Sequence, residues 1–382
     1  MSLHRLTGWN IFFSASWYER SEAFTWAALS DLVCLIDLIT LHDSLHVLGD
    51  ASLPPFITHH TPFFEAIKAS RLVQVDQPLG DQEARIRSVA TRRLELYLGP
   101  VGGLDAARLL EAARDTLRVP AQLSIGEMNT DVRHELTDPK IGSSPARLRR
   151  LLSSDAAPAG LPAFLARTFY YAAYSDVENI PWVPDHVRVP LARDLMKVER
   201  GLAEDLRKRL QKHWEDTPIS GRLEILQRTS PFAAVVFMRC KGDRTAIPDE
   251  MLGLRNEFSQ TRMNLLELES ELHSSRDRAV EIKRKWLKVL GEVDKRYGPS
   301  PARVTLESGI SLAEDAAEVV PRPEDVGAWL KALGGLPMEF LKGLLRRRPI
   351  AQIHRIRREL PAAATLKKVI NVLFPNATDY LP

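Results

Sequence analysis

Apolar side chains recur every seventh residue at Phe258, Leu265, Leu272, Ala279, Trp286 and Val293. Leu268, Ile282 and Val289 follow three positions after members of that series. No proline falls between Pro248 and Pro299. Pro248 suits a first helical turn, where its missing N–H costs nothing, and Asp249 and Glu250 place negative charge on the positive end of the dipole. Lys295 and Arg296 complement the other end, and Tyr297-Gly298-Pro299 is a stop signal. The pattern predicts one long heptad-patterned helix of roughly 75 Å, wider than a compact core. Part of it is therefore expected to pair with a protein partner or with a second copy through Phe258, Leu265, Leu272, Trp286 and Val293. Thr261, Ser275 and Arg296 weaken the seam, and a core helix broken near Ser274-Ser275 is the alternative. Residues 249–275 carry net charge −4 and residues 276–297 net charge +4, which favours antiparallel pairing.

Elsewhere the pattern changes period several times. Glu22 to His42 is apolar on most sides of a helix, so it belongs at the centre of an N-terminal domain. Leu45–Leu48 and Leu72–Val75 read as short strands, with a helix from Thr61-Pro62 to Ser70 between them. This order permits a small parallel pair. Asp81–Leu98 and Leu104–Leu117 read as helices, and residues 119–144 as an irregular boundary. Ser144-Pro145 opens a short basic helix, and Ala163–Val177 is a helix dense in aromatic side chains. Ile180–Pro184 is a stiff extended turn, and Pro190 opens an amphipathic helix to about Trp214. Phe232–Met238 is either a strand or a buried helix. The expected fold is mainly α with a minor β component: a multi-part helical protein with a small N-terminal α/β element and one long heptad helix. Its parts are residues 1–120, 144–240, 246–298 and 300–382.

Composition adds bounds. The chain has 382 residues, is 45% hydrophobic and carries a net charge of +3, ordinary for a globular protein and too weak to name a partner. Cys34 and Cys240 make no disulfide framework, so a reducing, cytoplasmic setting is expected. The stretch from Ala23 to Leu41 is apolar enough to suggest a membrane span, but Asp31 and Asp37 lie within it, so a buried helix is expected. The bias toward Ala, Leu, Arg and Pro suits a high-GC bacterium.

Charge concentrates near the C-terminus. Between Lys342 and Lys368 there are nine basic residues and one acid, Glu359. Residues 349–360 drawn as a helix put Ile350, Ile353, Ile356 and Leu360 on one arc with Arg355 and Arg358 opposite. Arg346, Arg347, Arg348, Arg355, Arg358, Lys367 and Lys368 are the candidate polyanion contacts, with nucleic acid as the candidate partner. The segment holds no Phe, Tyr or Trp, so binding would be directed to the backbone and salt-sensitive.

Candidate chemistry lies in the first domain. His42-Asp43-Ser44-Leu45-His46 spaces two histidines by four, with Glu65 as a third possible ligand, and resembles the His-Glu-x-x-His metalloprotease pattern. Aspartate in the second position is one methylene shorter than the glutamate of that pattern, and a helix-to-strand change would split the pair. Asp31, Asp37, Asp43, Asp50, Glu65 and Asp76 form a looser acidic set. Among the aromatic-rich residues, Arg167 and Tyr170 lie off the Phe164–Tyr171–Tyr174 face and are the pocket candidates. No Ser-His-Asp local signature, phosphate loop or Cys-x-x-Cys is present. The leading expectation is a non-enzymatic helical interaction protein without a cofactor. The alternative is a metal-dependent hydrolase or nuclease using His, Asp and Glu residues of the N-terminal domain.

Overall fold

Three short strands pair in parallel to form the sheet of the N-terminal unit, in the order β1 (His4–Thr7), β2 (Ser44–Leu48), β3 (Val73–Asp76). The structure is a computed structural model. It describes residues 4–7, 11–12, 15, 18–19, 26–48, 62–99, 144–153, 160–185, 188–195, 202–215, 229–263, 265 and 349–375. These are 75% helical, so the chain is mainly α with a small parallel sheet. It divides into two units. One comprises residues 4–199 with 243–252 and 371–382, and the other residues 1–3, 200–242 and 253–370.

In the N-terminal unit, α1 (Trp26–Leu41) crosses from β1 to β2 and α2 (Pro62–Ala69) from β2 to β3. Parallel neighbours need such crossovers. The register pairs His4 with Ser44, Leu6 with His46, His46 with Gln74 and Leu48 with Asp76. All five residues of β2 are buried, as a central strand covered on both faces requires. His4–Thr7 was not anticipated from the sequence, because four residues without alternation carry no strand signal of their own. The proline-flanked Trp182 segment, expected as a turn, runs beside β1. The Leu6 N–H donates to the Pro181 carbonyl at 2.9 Å and the Val183 N–H to the Leu6 carbonyl at 2.8 Å. Prolines at 181 and 184 lack donors, which limits this pairing to a single bridge, Leu6 with Trp182.

A layer of helices packs on the face of the sheet that carries Leu6 and Leu48. On α3 (Gly80–Leu98), Ile86, Ala90, Leu94 and Leu98 form a four-spaced buried stripe against α5 (Gly160–Glu178). Gly99 ends α3 at φ 63°, where its N–H donates to the Glu95 carbonyl. A Cβ there would meet Arg149 Nη1 at 3.1 Å, and that same atom donates to the Leu98 carbonyl at 2.9 Å. Arg149 belongs to α4 (Pro145–Leu152), which thus closes the C-terminal end of α3. α6 (Val189–Leu195) also packs on α5. Because α5 is enclosed by these neighbours and the sheet, Arg167 and Tyr170 are as buried as Phe164, Tyr171 and Tyr174. Burial therefore does not separate the two faces of this helix.

The second unit is helical. The expected single helix from Pro190 to Trp214 is seen as two, α6 and α7 (Leu202–Glu215), and these fall in different units. Leu206, Leu210 and Trp214 of α7 are buried, and Trp214 Nε1–H donates to the Pro361 carbonyl at 2.8 Å. Phe232–Met238 is helix α8 (Pro231–Arg239), capped by Ser230 Oγ, which accepts from Ala233 N–H at 3.0 Å. Residues 253–257 of helix α9 (Ile247–Glu257), all of α10 (Pro349–Glu359) and residues 363–370 of α11 (Ala363–Leu373) also belong to the second unit, and α9 opens the heptad stretch. Helical hydrogen bonds continue past α9, from Phe258 N–H to Leu254 and from Arg262 N–H to Phe258. The helix is described as far as Leu265, and residues 266–348, with Leu272, Trp286 and Val293, lie outside the described residues. Phe258 and Leu265 are buried within the chain, and Phe258 meets Phe232 edge to face at 5.2 Å.

Candidate functional site

Alternation along β2 sends Ser44 and His46 to one face of the sheet, and the register brings His4 from β1 and Asp76 from β3 to the same face. Leu6 and Leu48, on that face, pack in the core with α5, and Tyr174 of α5 reaches down to the sheet. His46 is the hub. Its Nδ1–H donates to Asp76 Oδ2 at 2.6 Å, and its Nε2 lies 2.9 Å from His4 Nδ1 and 3.4 Å from Ser44 Oγ. Ser44 Oγ also contacts His4 Nδ1 closely. Tyr174 O–H donates to the same Asp76 oxygen at 2.7 Å. The two imidazoles stand edge to face, 4.7 Å between centroids.

The electrostatics follow from burial and these bonds. Burial alone would raise the Asp76 carboxyl, but the hydrogen bonds from His46 and Tyr174 outweigh it and hold the group below the usual aspartate value. Burial, together with the bond to Asp76, pushes the Tyr174 hydroxyl far above its usual value, so it stays a donor. Burial and the neighbouring His46 lower His4, which favours its neutral form. With Asp76 ionised and accepting from His46 Nδ1–H, the lone pair of neutral His46 falls on Nε2 and faces Ser44 and His4. A serine oxygen, an acceptor nitrogen and an orienting carboxylate are the parts of an activated nucleophile.

The helix-to-strand change expected to split the histidine pair is present. His42 sits at the C-terminal end of α1, its N–H bonded to the Leu38 carbonyl at 3.0 Å, whereas His46 is in β2. The two histidines therefore do not share a helix face, and Glu65 is exposed on α2. Among the described residues no group of three or more His, Cys, Asp or Glu side chains is placed to hold a metal ion. His4, Ser44 and Tyr174 were not singled out from the sequence as site residues. The available signal was Ser44-x-His46 on a predicted strand, which needs only two-residue periodicity. Asp76 and Tyr174 come from 30 and 128 positions further on and could not be placed from local pattern.

The basic C-terminal segment is partly occupied. Arg239 of α8 bonds Glu257 through Nη1 at 2.9 Å and Glu359 through Nε at 2.9 Å, while Arg355 Nε bonds Glu359 at 3.0 Å. Burial opposes the Arg239 charge, but these carboxylates outweigh it and raise its affinity for the proton. Arg358, Lys367 and Lys368 are exposed, and Arg346, Arg347 and Arg348 lie outside the described residues. Among the described residues no helix is long and apolar enough to cross a membrane. No family model, curated protein or solved structure matches this chain.

Proposed function

We propose that the N-terminal unit is a metal-independent acyl hydrolase in which Ser44 is the nucleophile, His46 the general base and Asp76 the orienting carboxylate. The observation that carries the reading is the continuous chain Ser44 Oγ, His46 Nε2, His46 Nδ1, Asp76 Oδ2, at 3.4 Å and 2.6 Å. The first distance is at the loose end for catalytic pairs without substrate. In the proposed reaction Ser44 Oγ attacks an acyl carbon while its proton passes to His46 Nε2, and Asp76 stabilises the resulting imidazolium. His46 then returns that proton to the departing alcohol, and water hydrolyses the acyl-serine by the same route. Neutral His4 presents Nδ1–H to both Ser44 Oγ and His46 Nε2, 2.9 Å from the latter, and leaves His46 Nε2 to Ser44 when the hydrogen turns to the reacting oxygen. Ser44 is 5% exposed, so a small ester is the appropriate probe. Hydrolysis of p-nitrophenyl acetate by the full chain tests this. Ser44→Ala and His46→Ala are each expected to lower the rate by a factor of about 10² or more. A rate unchanged in both variants refutes the assignment.

A second reading concerns the helical parts. The exposure of Arg358, Lys367 and Lys368 supports polyanion binding by the C-terminal helices, with nucleic acid as the proposed ligand. The heptad pattern from Leu272 through Trp286 to Val293 supports an antiparallel contact with a second copy or another helix. Salt-dependent DNA or RNA retention, lost in a Lys367→Gln/Lys368→Gln variant, tests the first. A wild-type monomer by light scattering would remove self-pairing.

A further inference from the structure

The α5–α6 region holds a second polar group that the acid–base site does not use. Arg188 is 2% exposed. Its Nη1 pairs with Asp185 Oδ2, and its own backbone N–H donates to Asp185 Oδ1 at 3.1 Å. Its Nε and Nη2 meet no acceptor among the described residues. These two nitrogens form one edge of the planar guanidinium, the fork that takes two oxygens of a carboxylate or phosphate side by side. The Phe164 ring lies 4.8 Å from Arg188 Cζ, so the plane packs on carbon and the unpartnered edge is the remaining direction for polar contact. A buried donor left without an acceptor is costly, so an oxygen placed at this edge would be stabilising.

Neighbouring charge points the same way. Arg167 of α5 is buried and repels Arg188, and burial followed by that repulsion lowers Arg167 to about 10 even though Tyr171 and Asp185 favour its charge. Tyr171, stacked on Trp182 at 5.5 Å, is raised by burial and stays protonated, a further donor. Among the described residues Asp185 serves Arg188 on one edge, and the neighbouring Arg167 adds to the positive potential there.

We propose that the unpartnered edge of Arg188, with Arg167 beside it, is the anchor of a binding site for a small oxyanion, the carboxylate or phosphate group of a ligand. The assignment is independent of the hydrolase reading. Isothermal titration of the full chain with inorganic phosphate and, separately, sodium acetate, against sodium chloride at matched ionic strength, tests it. Saturable binding of at least one of the two oxyanions is expected, and the one that binds identifies the group. Arg188→Lys keeps the charge and loses the fork, so affinity should fall at least tenfold. No saturable binding of either anion by wild type, or undiminished binding by Arg188→Lys, overturns the proposal. Should the variant fail to fold, the Arg188 Nε–H resonance of the wild-type protein decides. It shifts during titration if the anion sits there, and its remaining fixed while heat is released overturns the site.

Discussion

Replacing Asp76 by Asn should destabilise the N-terminal unit by an amount that depends on pH. Two donors, His46 Nδ1–H and Tyr174 O–H, end on the same Asp76 oxygen at 2.6 and 2.7 Å. Asparagine keeps an acceptor of nearly the same shape but loses the charge. A hydrogen bond to a charged acceptor exceeds a neutral one by about 1 kcal/mol, so the two bonds together predict a loss of about 2 kcal/mol. For a unit of this size that is roughly 4–8 °C in Tm. Asp76→Ala leaves both donors unpaired and should cost more, about 1–3 kcal/mol for each. The folded pKa of Asp76 is depressed, so its contribution is present above the unfolded value, 3.8, and is lost as pH falls through the lower folded value. The gap between wild type and Asp76→Asn should therefore close on acidification through that window. Thermal melts followed by circular dichroism across this pH range give both results. Equal stability of wild type and Asp76→Asn at neutral pH, or a gap that persists at acid pH, refutes the charged pairing.

Other expectations use the same reasoning. His4 has a folded pKa below 6.5, so the unfolded chain binds the proton more tightly and stability should fall as pH drops below 6.5; His4→Gln should flatten that part of the pH–stability curve. Arg239→Met leaves Glu257 and Glu359 facing each other and should destabilise the helical unit by about 2–3 kcal/mol in urea melts. Trp214→Phe removes the donor to Pro361 and should cost about 1–3 kcal/mol by the same measurement. Phe232→Ala opens a cavity under Phe258 and should cost about 3–5 kcal/mol.

Much of the fold was legible locally. The α1–β2–α2–β3 order followed from a nearly all-apolar helix, two short β-prone runs and the Thr61-Pro62 start signal. Observed boundaries differ from those expected by one residue at β2 and β3. Strand β1 was not legible, because its stability comes from pairing with β2 and with Trp182 rather than from its own four residues. The helical nature of Phe232–Met238 needed the Ser230 cap and Pro231 to be weighed together. The site was legible only in part. His46 stands out in the sequence as a possible ligand beside His42, and the helix-to-strand change between them is legible there too, but its partners are set by register. The buried Arg167 was noticed as a pocket candidate, but Arg188 was not, since an arginine between two prolines looks like loop decoration until α5 closes over it.

The most direct test of the acid–base account is the chemistry of Ser44 itself. Treating the folded full-length protein with a small alkyl fluorophosphonate and mapping the adduct by peptide mass spectrometry asks whether that one hydroxyl is activated. The account predicts a single adduct on Ser44, absent from His46→Ala and slowed in Asp76→Asn. An unmodified Ser44, or labelling that persists without His46, would contradict it.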